Sequence, residues 1–184
     1  MLCDLRVRAD GDGRTITARA VPYGVQASVS DSEGRYRESW QRGAFARTIA
    51  HRRASGRPLP VLVNHDRKSL PVGVVQDFAD AADGLDVEMH LSETPSADEV
   101  LTLVRDGAVR GVSIGFKPIQ SQWNRGRTEV VRTEAALHEI SLVAFPTWDE
   151  SLITDVRSID DDLEDWRADT RRRVALLTLK GDLR

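Results

Sequence analysis

The run Gly111-Val112-Ser113-Ile114-Gly115-Phe116-Lys117-Pro118 constrains this chain more than any other stretch. Read as a strand, its side chains alternate between two faces. Val112, Ile114 and Phe116 make one face apolar, while Gly111, Ser113 and Gly115 take the other. Glycine inside a strand weakens it and marks a place where another backbone comes close. Ser113 is therefore either a hydroxyl nucleophile open to an approaching peptide or a small polar residue on a solvent face.

Around that strand the pattern is mainly β. Leu5, Val7 and Ala9 alternate with polar residues, Gly11-Asp12-Gly13 turns the chain, and Ile16, Ala18 and Ala20 alternate again, which predicts a hairpin. Residues 25–35 read as a polar loop, and Tyr36 to Trp40 as a short strand. Gly43-Ala44-Phe45 opens a helix carrying Ile49 and ending near Arg53, followed by a basic loop to Pro60. Val61–Val63, Val72–Phe78 and Leu85–Met89 are predicted strands. Thr94-Pro95 supplies a capping hydroxyl and a proline at the first helical position. Ala97, Val100, Leu101 and Val104 then fall on one helical stripe, with Gly107 at the C-terminal cap. After the serine strand, a loop at Asn124-Arg125-Gly126 leads to strands near Val130 and from Ala136 to Ala144.

From Ser158 the composition changes. Ile159, Leu163, Trp166, Val174 and Leu177 share a helical face; acidic residues come early and Arg171–Arg173 late, as a helix dipole favours. An amphipathic helix is expected there, docked on its own sheet, making a homo-oligomer contact or serving as a scaffold-binding tail. The division is thus 1–157 for the main domain and 158–184 for a helical extension.

Length and charge exclude several classes. A chain of 184 residues suits one domain with an appendage, and a net charge of -3 gives no case for nucleic acid as a partner. Cys3 stands alone, so neither a disulfide framework nor a thiolate metal cluster is available. No apolar run approaches a membrane span, and the first residues lack the apolar core of a signal peptide, which predicts a cytoplasmic chain without a membrane partner. No pair of histidines has ligand spacing, and the Asp160–Asp162 run reads as a helix start, so neither metal nor cofactor is expected.

Gly111-Val112-Ser113-Ile114-Gly115 has the letters of a nucleophile elbow but not its context. An elbow needs a helix directly after the serine, whereas Phe116-Lys117-Pro118 stays extended. A serine nucleophile also needs a base and a group that orients the base. His51 lies in a basic helix end, and His90 sits on a surface strand. His65 closes the apolar Val61–Val63 strand, a junction that suits a functional side chain, or equally a turn residue beside Asn64 and Asp66. In Leu137-His138-Glu139-Ile140-Ser141-Leu142-Val143, simple alternation puts His138 with apolar Ile140 and Leu142, and Glu139 with Ser141 opposite. Glu139 is then either a carboxylate that holds the ring of His65 or an ordinary strand glutamate.

Val61-Leu62-Val63-Asn64-His65-Asp66, Pro71-Val72-Gly73-Val74-Val75, Arg110-Gly111-Val112-Ser113-Ile114-Gly115-Phe116 and Leu137–Val143 occur in this order, with Gly43-Ala44-Phe45 ahead of them. Together they resemble the prohead proteases of tailed bacteriophages, the capsid maturation serine proteases, over about residues 5–155. Thr147 departs from the alanine common in that motif. The resemblance implies an α+β, mainly β, assemblin-like fold: a bent β-barrel surrounded by helices, shared distantly with herpesvirus maturation proteases. It implies Ser113 as nucleophile, His65 as base and Glu139 as third member, with His138 a rival because the herpesvirus relatives use a second histidine. It further implies no cofactor, a site of action in the host cytoplasm inside the assembling prohead, and as substrate the scaffold or the scaffold-like N-terminal segment of the major capsid protein, together with the protease itself. A non-proteolytic assembly factor of the same fold and a small serine esterase are the competing classes.

Overall fold

The computed structural model describes residues 13–31 and 34–146. Ten elements follow one another: β1 (Thr15–Pro22), β2 (Ala27–Asp31), β3 (Gly34–Trp40), α1 (Ala46–Ser55), β4 (Leu59–Val63), β5 (Gly73–Asp80), β6 (Gly84–Leu91), α2 (Pro95–Arg105), β7 (Gly111–Trp123) and β8 (Glu129–Val143). The architecture is mainly β with two helices and one mixed sheet among the described residues. No helix among these residues is long and apolar enough to cross a membrane.

The sheet branches at β8. Its pairing order is β1-β6-β5-β4-β8-β3-β2, with β7 on the remaining edge of β8. That edge carries β7 from Gly111 opposite Val143 to Trp123 opposite Val130. The other edge is shared: β3 pairs in parallel at Glu129–Arg132, and β4 in parallel at Ile140–Leu142. The C-terminal half of β8 is consequently enclosed on both sides, and Glu139 through Val143 are all buried. β1 packs near β7 without a hydrogen-bonded ladder between them. The sheet curls but does not close as the expected barrel among the described residues.

Packing follows the apolar alternation. Ile16, Val61, Leu85, Met89, Leu91, Leu137, Ile140 and Leu142 are fully or almost fully buried in one core. Trp40 stacks on Phe45 at 4.7 Å between centroids and meets the edge of Phe116 at the same distance, which ties α1 and β7 to the end of β3. The hydroxyl of Thr48 donates to the Ala135 carbonyl (3.3 Å) and accepts from the Leu137 N–H (3.1 Å), pinning α1 along β8. α2 starts as predicted, with Thr94 Oγ1 accepting from the Ala97 N–H (3.3 Å) and all four stripe residues buried.

Several sequence expectations need correction. Residues 25–35 are not a loop: β2 and β3 pair from Ala27 opposite Glu38 to Asp31 opposite Gly34. β2 ends the sheet and faces solvent along one side, so it tolerates the serines and aspartate that read as loop residues. The basic loop before β4 is shorter than expected, since α1 reaches Ser55 and β4 begins at Leu59. β7 runs past Pro118 to Trp123, because proline falls beside a register shift and not within an unbroken central ladder. The two predicted strands near Val130 and after Ala136 are one strand of 15 residues. The first arm of the N-terminal hairpin, Thr147 and the helix expected over 158–184 lie outside the described residues; β1 pairs with β6.

Candidate active site

β4 hands His65 to the site by an abrupt reversal. Asn64 and His65 both have positive φ (49° and 58°), which is uncommon for histidine and is found where surrounding structure holds the backbone. Two backbone bonds hold it here: the Asn64 N–H donates to the Leu142 carbonyl (3.1 Å) and the Asp66 N–H donates to the Val63 carbonyl (3.0 Å). Asp66 then caps its own turn, accepting from the Lys68 N–H (2.9 Å) and the Ser69 hydroxyl (2.6 Å). The Ser69 hydroxyl, helped by the Lys68 amide, holds the Asp66 carboxyl below the usual carboxylate range.

The ring of His65 lies between two strands it does not belong to. Its Nδ1 is 2.6 Å from Glu139 Oε1, and its Nε2 is 2.8 Å from Ser113 Oγ. The carboxylate is sequestered, with its side chain 3% exposed, while the imidazole is 43% exposed. An anion at the closed end and a half-open ring above it suit a base that must accept a proton and become charged. Ser113 sits on β7 directly opposite Ser141 on β8, and Ser141 in turn lies opposite Leu62 on β4. Two neighbouring strands and the turn after a third thus carry the three groups, with β8 in the middle supplying the carboxylate.

The bare positions beside Ser113 have a different use from the one expected. A Cβ on Gly111 would lie 2.6 Å from the ring of Pro146, and a Cβ on Gly115 would lie 2.1 Å from Glu139 Oε1. The glycine gaps are therefore filled from within the protein, one by proline and one by the carboxylate that meets His65. No side chain at residue 115 can coexist with Glu139 in this position.

His138 also departs from expectation. Simple alternation put it on the apolar face, but it is exposed. The β7–β8 register steps from Gly115 opposite Glu139 to Phe116 opposite Leu137, leaving His138 as the extra residue of a bulge. The bulge shifts the phase of β8, so that Ala135 and Leu137 on one side of it and Ile140 and Leu142 on the other are all buried. Glu139 is brought to His65; His138 is not. His51 is exposed and His90 lies on β6, both outside this group of contacts.

One contributor had no role assigned in the sequence. Ser141 is fully buried. Its Oγ accepts from the backbone N–H of His65 (3.0 Å) and donates to Glu139 Oε2 (2.9 Å). Its spacing of two from Glu139 put it on the same face of the strand, which was the only available signal. Beside the turn at Asn64 and Asp66 lies a groove of about 800 Å³, walled by Val63, Leu70, Val72, Val100 and Leu103. No group of three or more metal-ligating side chains occurs among the described residues.

A family model described as caudovirus prohead serine protease matches residues 3–164. The prohead protease of Escherichia phage T5 is 26% identical over 108 residues, 58% of this chain and 50% of that protein. The prohead protease of Enterobacteria phage HK97 is 29% identical over 135 residues, 70% of this chain and 59% of that protein. A capsid polyprotein of Pseudomonas phage PAJU2 is 29% identical over 110 residues, 56% of this chain and 16% of the polyprotein. The matched part spans between half and three fifths of the two prohead proteases. The structure of the bacteriophage T4 capsid assembly protease superposes with a TM-score of 0.48 at 10% identity, over 71% of this chain and 97% of that one.

Proposed function

This chain belongs to the caudovirus prohead serine protease family, and on that premise we propose that it is a serine endopeptidase of capsid maturation. Its substrates are the scaffold, or the scaffold-like N-terminal segment of the major capsid protein, and the chain itself. It works inside the assembling prohead in the host cytoplasm. The observation that carries this reading is the continuous hydrogen-bonded path from Ser113 through His65 to Glu139. The capsid link is supported by the names of the two prohead proteases and of the capsid polyprotein.

The chemistry follows from the geometry. Ser113 Oγ attacks the substrate carbonyl carbon while its proton passes to Nε2 of His65. Glu139 stabilises the imidazolium through Nδ1 and keeps the ring turned towards β7. The tetrahedral intermediate collapses, Nε2 returns the proton to the departing amine, and the acyl group stays on Ser113. Water then attacks the acyl carbon while giving a proton to Nε2; Nε2 returns that proton to Ser113 Oγ as the acyl–oxygen bond breaks, releasing the new carboxyl terminus and the free hydroxyl. Residues 1–157 form the protease domain in this reading, and 158–184 an extension that mediates association. Co-expression with the capsid precursor tests the proposal: the wild-type chain trims the precursor, and Ser113→Ala leaves it full length. Trimming at the wild-type rate by Ser113→Ala would remove Ser113 from the role of nucleophile.

A further inference from the structure

The ring of hydrogen bonds around Glu139 has a direction, and the hydroxyl of Ser141 joins its two ends. A backbone N–H can only donate, so the 3.0 Å contact from His65 N makes Ser141 Oγ an acceptor there. The hydroxyl's one proton is then free for the other contact, 2.9 Å to Glu139 Oε2. With Oε2 occupied by that donor, Oε1 is the oxygen left for His65 Nδ1 at 2.6 Å. A carboxylate only accepts, so Nδ1 carries a proton; in the neutral ring Nε2 is then the bare nitrogen, the one that can accept from the hydroxyl of Ser113. The circuit runs from His65 N–H to Ser141, from Ser141 to Glu139, and from His65 Nδ1–H to the same carboxylate.

We propose that Ser141 is a positioning residue: its hydroxyl fixes both the rotation of the Glu139 carboxylate and the backbone of His65, and thereby holds Oε1 against the Nδ1–H of the ring whose Nε2 faces Ser113. The inference rests on the protease reading for its catalytic consequence, but the positioning itself does not. Ser141 touches no substrate. It acts through His65 and Glu139, from a position with no exposure to solvent. Its place on the central strand of the three, opposite both Ser113 and Leu62, is what lets one hydroxyl reach the turn after β4 and the carboxylate on its own strand. The left-handed backbone at His65 is tied to the acid by this one side chain, while the Asn64 and Asp66 amides tie the same turn to the Leu142 and Val63 carbonyls.

The test has two readouts on the full chain. Proton NMR of histidine ring N–H groups reports the Nδ1 proton without any substrate, with Glu139→Gln identifying the resonance by its loss. Ser141→Ala should move that resonance upfield, since the carboxylate loses its fixed rotation. It should also lower kcat for capsid-precursor cleavage by roughly ten- to hundredfold, in line with the loss of one buried hydrogen-bonding partner, while KM stays near wild type. Ser141→Cys, which keeps a weak donor, carries both measurements should Ser141→Ala not fold, and should move the resonance in the same direction. An unmoved Nδ1 resonance in a folded variant overturns the proposal, whatever the activity. So does a moved resonance with wild-type kcat. Absence of cleavage by the wild-type chain, with the resonance behaving as described, would count against the protease reading and leave the positioning role standing.

Discussion

At the scale of single residues, the site depends on what is missing as much as on what is present. Gly115 is where the sequence suggested room for a substrate, and the structure puts Glu139 there instead. Gly115→Ala should therefore push the carboxylate off His65 and lower the cleavage rate by at least tenfold, a loss of about 1.4 kcal/mol of transition-state stabilisation. Its φ is unstrained for alanine, so the circular dichroism spectrum should stay that of the wild type. A fully active Gly115→Ala would mean that Glu139 need not sit where it does. Local pattern made Ser113, His65 and Glu139 candidates with two readings each, the resemblance joined them, and the structure places the three within hydrogen-bonding distance of one another in series. Ser113 lies between glycines, His65 at a strand end, and Glu139 beside an apolar strand core. His138 was misread because period-two alternation assumes an unbroken strand, and a bulge cannot be seen from one strand's residues alone. Ser141 was visible but mute, since a serine on a strand face acquires a role only from what pairs opposite it.

At the scale of elements, β8 does most of the organising, and its two halves are stabilised by different means. The C-terminal half lies between β4 and β7 and is apolar on its core face. The N-terminal half holds a buried ion pair, Arg132 Nε to Glu38 Oε1 at 2.6 Å, with both side chains at 5% exposure or less. Arg132 also donates to Ser121 Oγ (3.0 Å) and Tyr36 Oη (3.3 Å), so one guanidinium joins β3, β7 and β8. Removing one partner of such a pair leaves an uncompensated buried charge. Glu38→Ala should cost about 3–5 kcal/mol of stability, read by urea unfolding. A loss under about 1 kcal/mol would show that Arg132 reaches solvent when its partner goes. This pair was not legible in the sequence, because nothing local connects residues 38 and 132. α2, by contrast, was legible from end to end, since cap, proline and apolar stripe all lie within one short segment.

At the scale of the whole molecule, the sheet brings three distant parts of the chain side by side, two as strands and one as the turn after β4, and pairing order, which a single sequence does not display, is what does it. The described residues carry the complete Ser113–His65–Glu139 set, so truncation after Arg157 should leave cleavage of a soluble precursor peptide intact while changing the mass in solution. Loss of folding on truncation would show that 158–184 belongs to the core. In the proposed reading Ser113 is a nucleophile activated by His65 and held in that state by Glu139. The most direct measurement is labelling of the purified chain with a fluorophosphonate, followed by mass spectrometry of the modified peptide. A single adduct on Ser113, abolished by His65→Ala and strongly slowed by Glu139→Gln, is the predicted result; labelling elsewhere, or labelling of Ser113 indifferent to His65, would contradict the account.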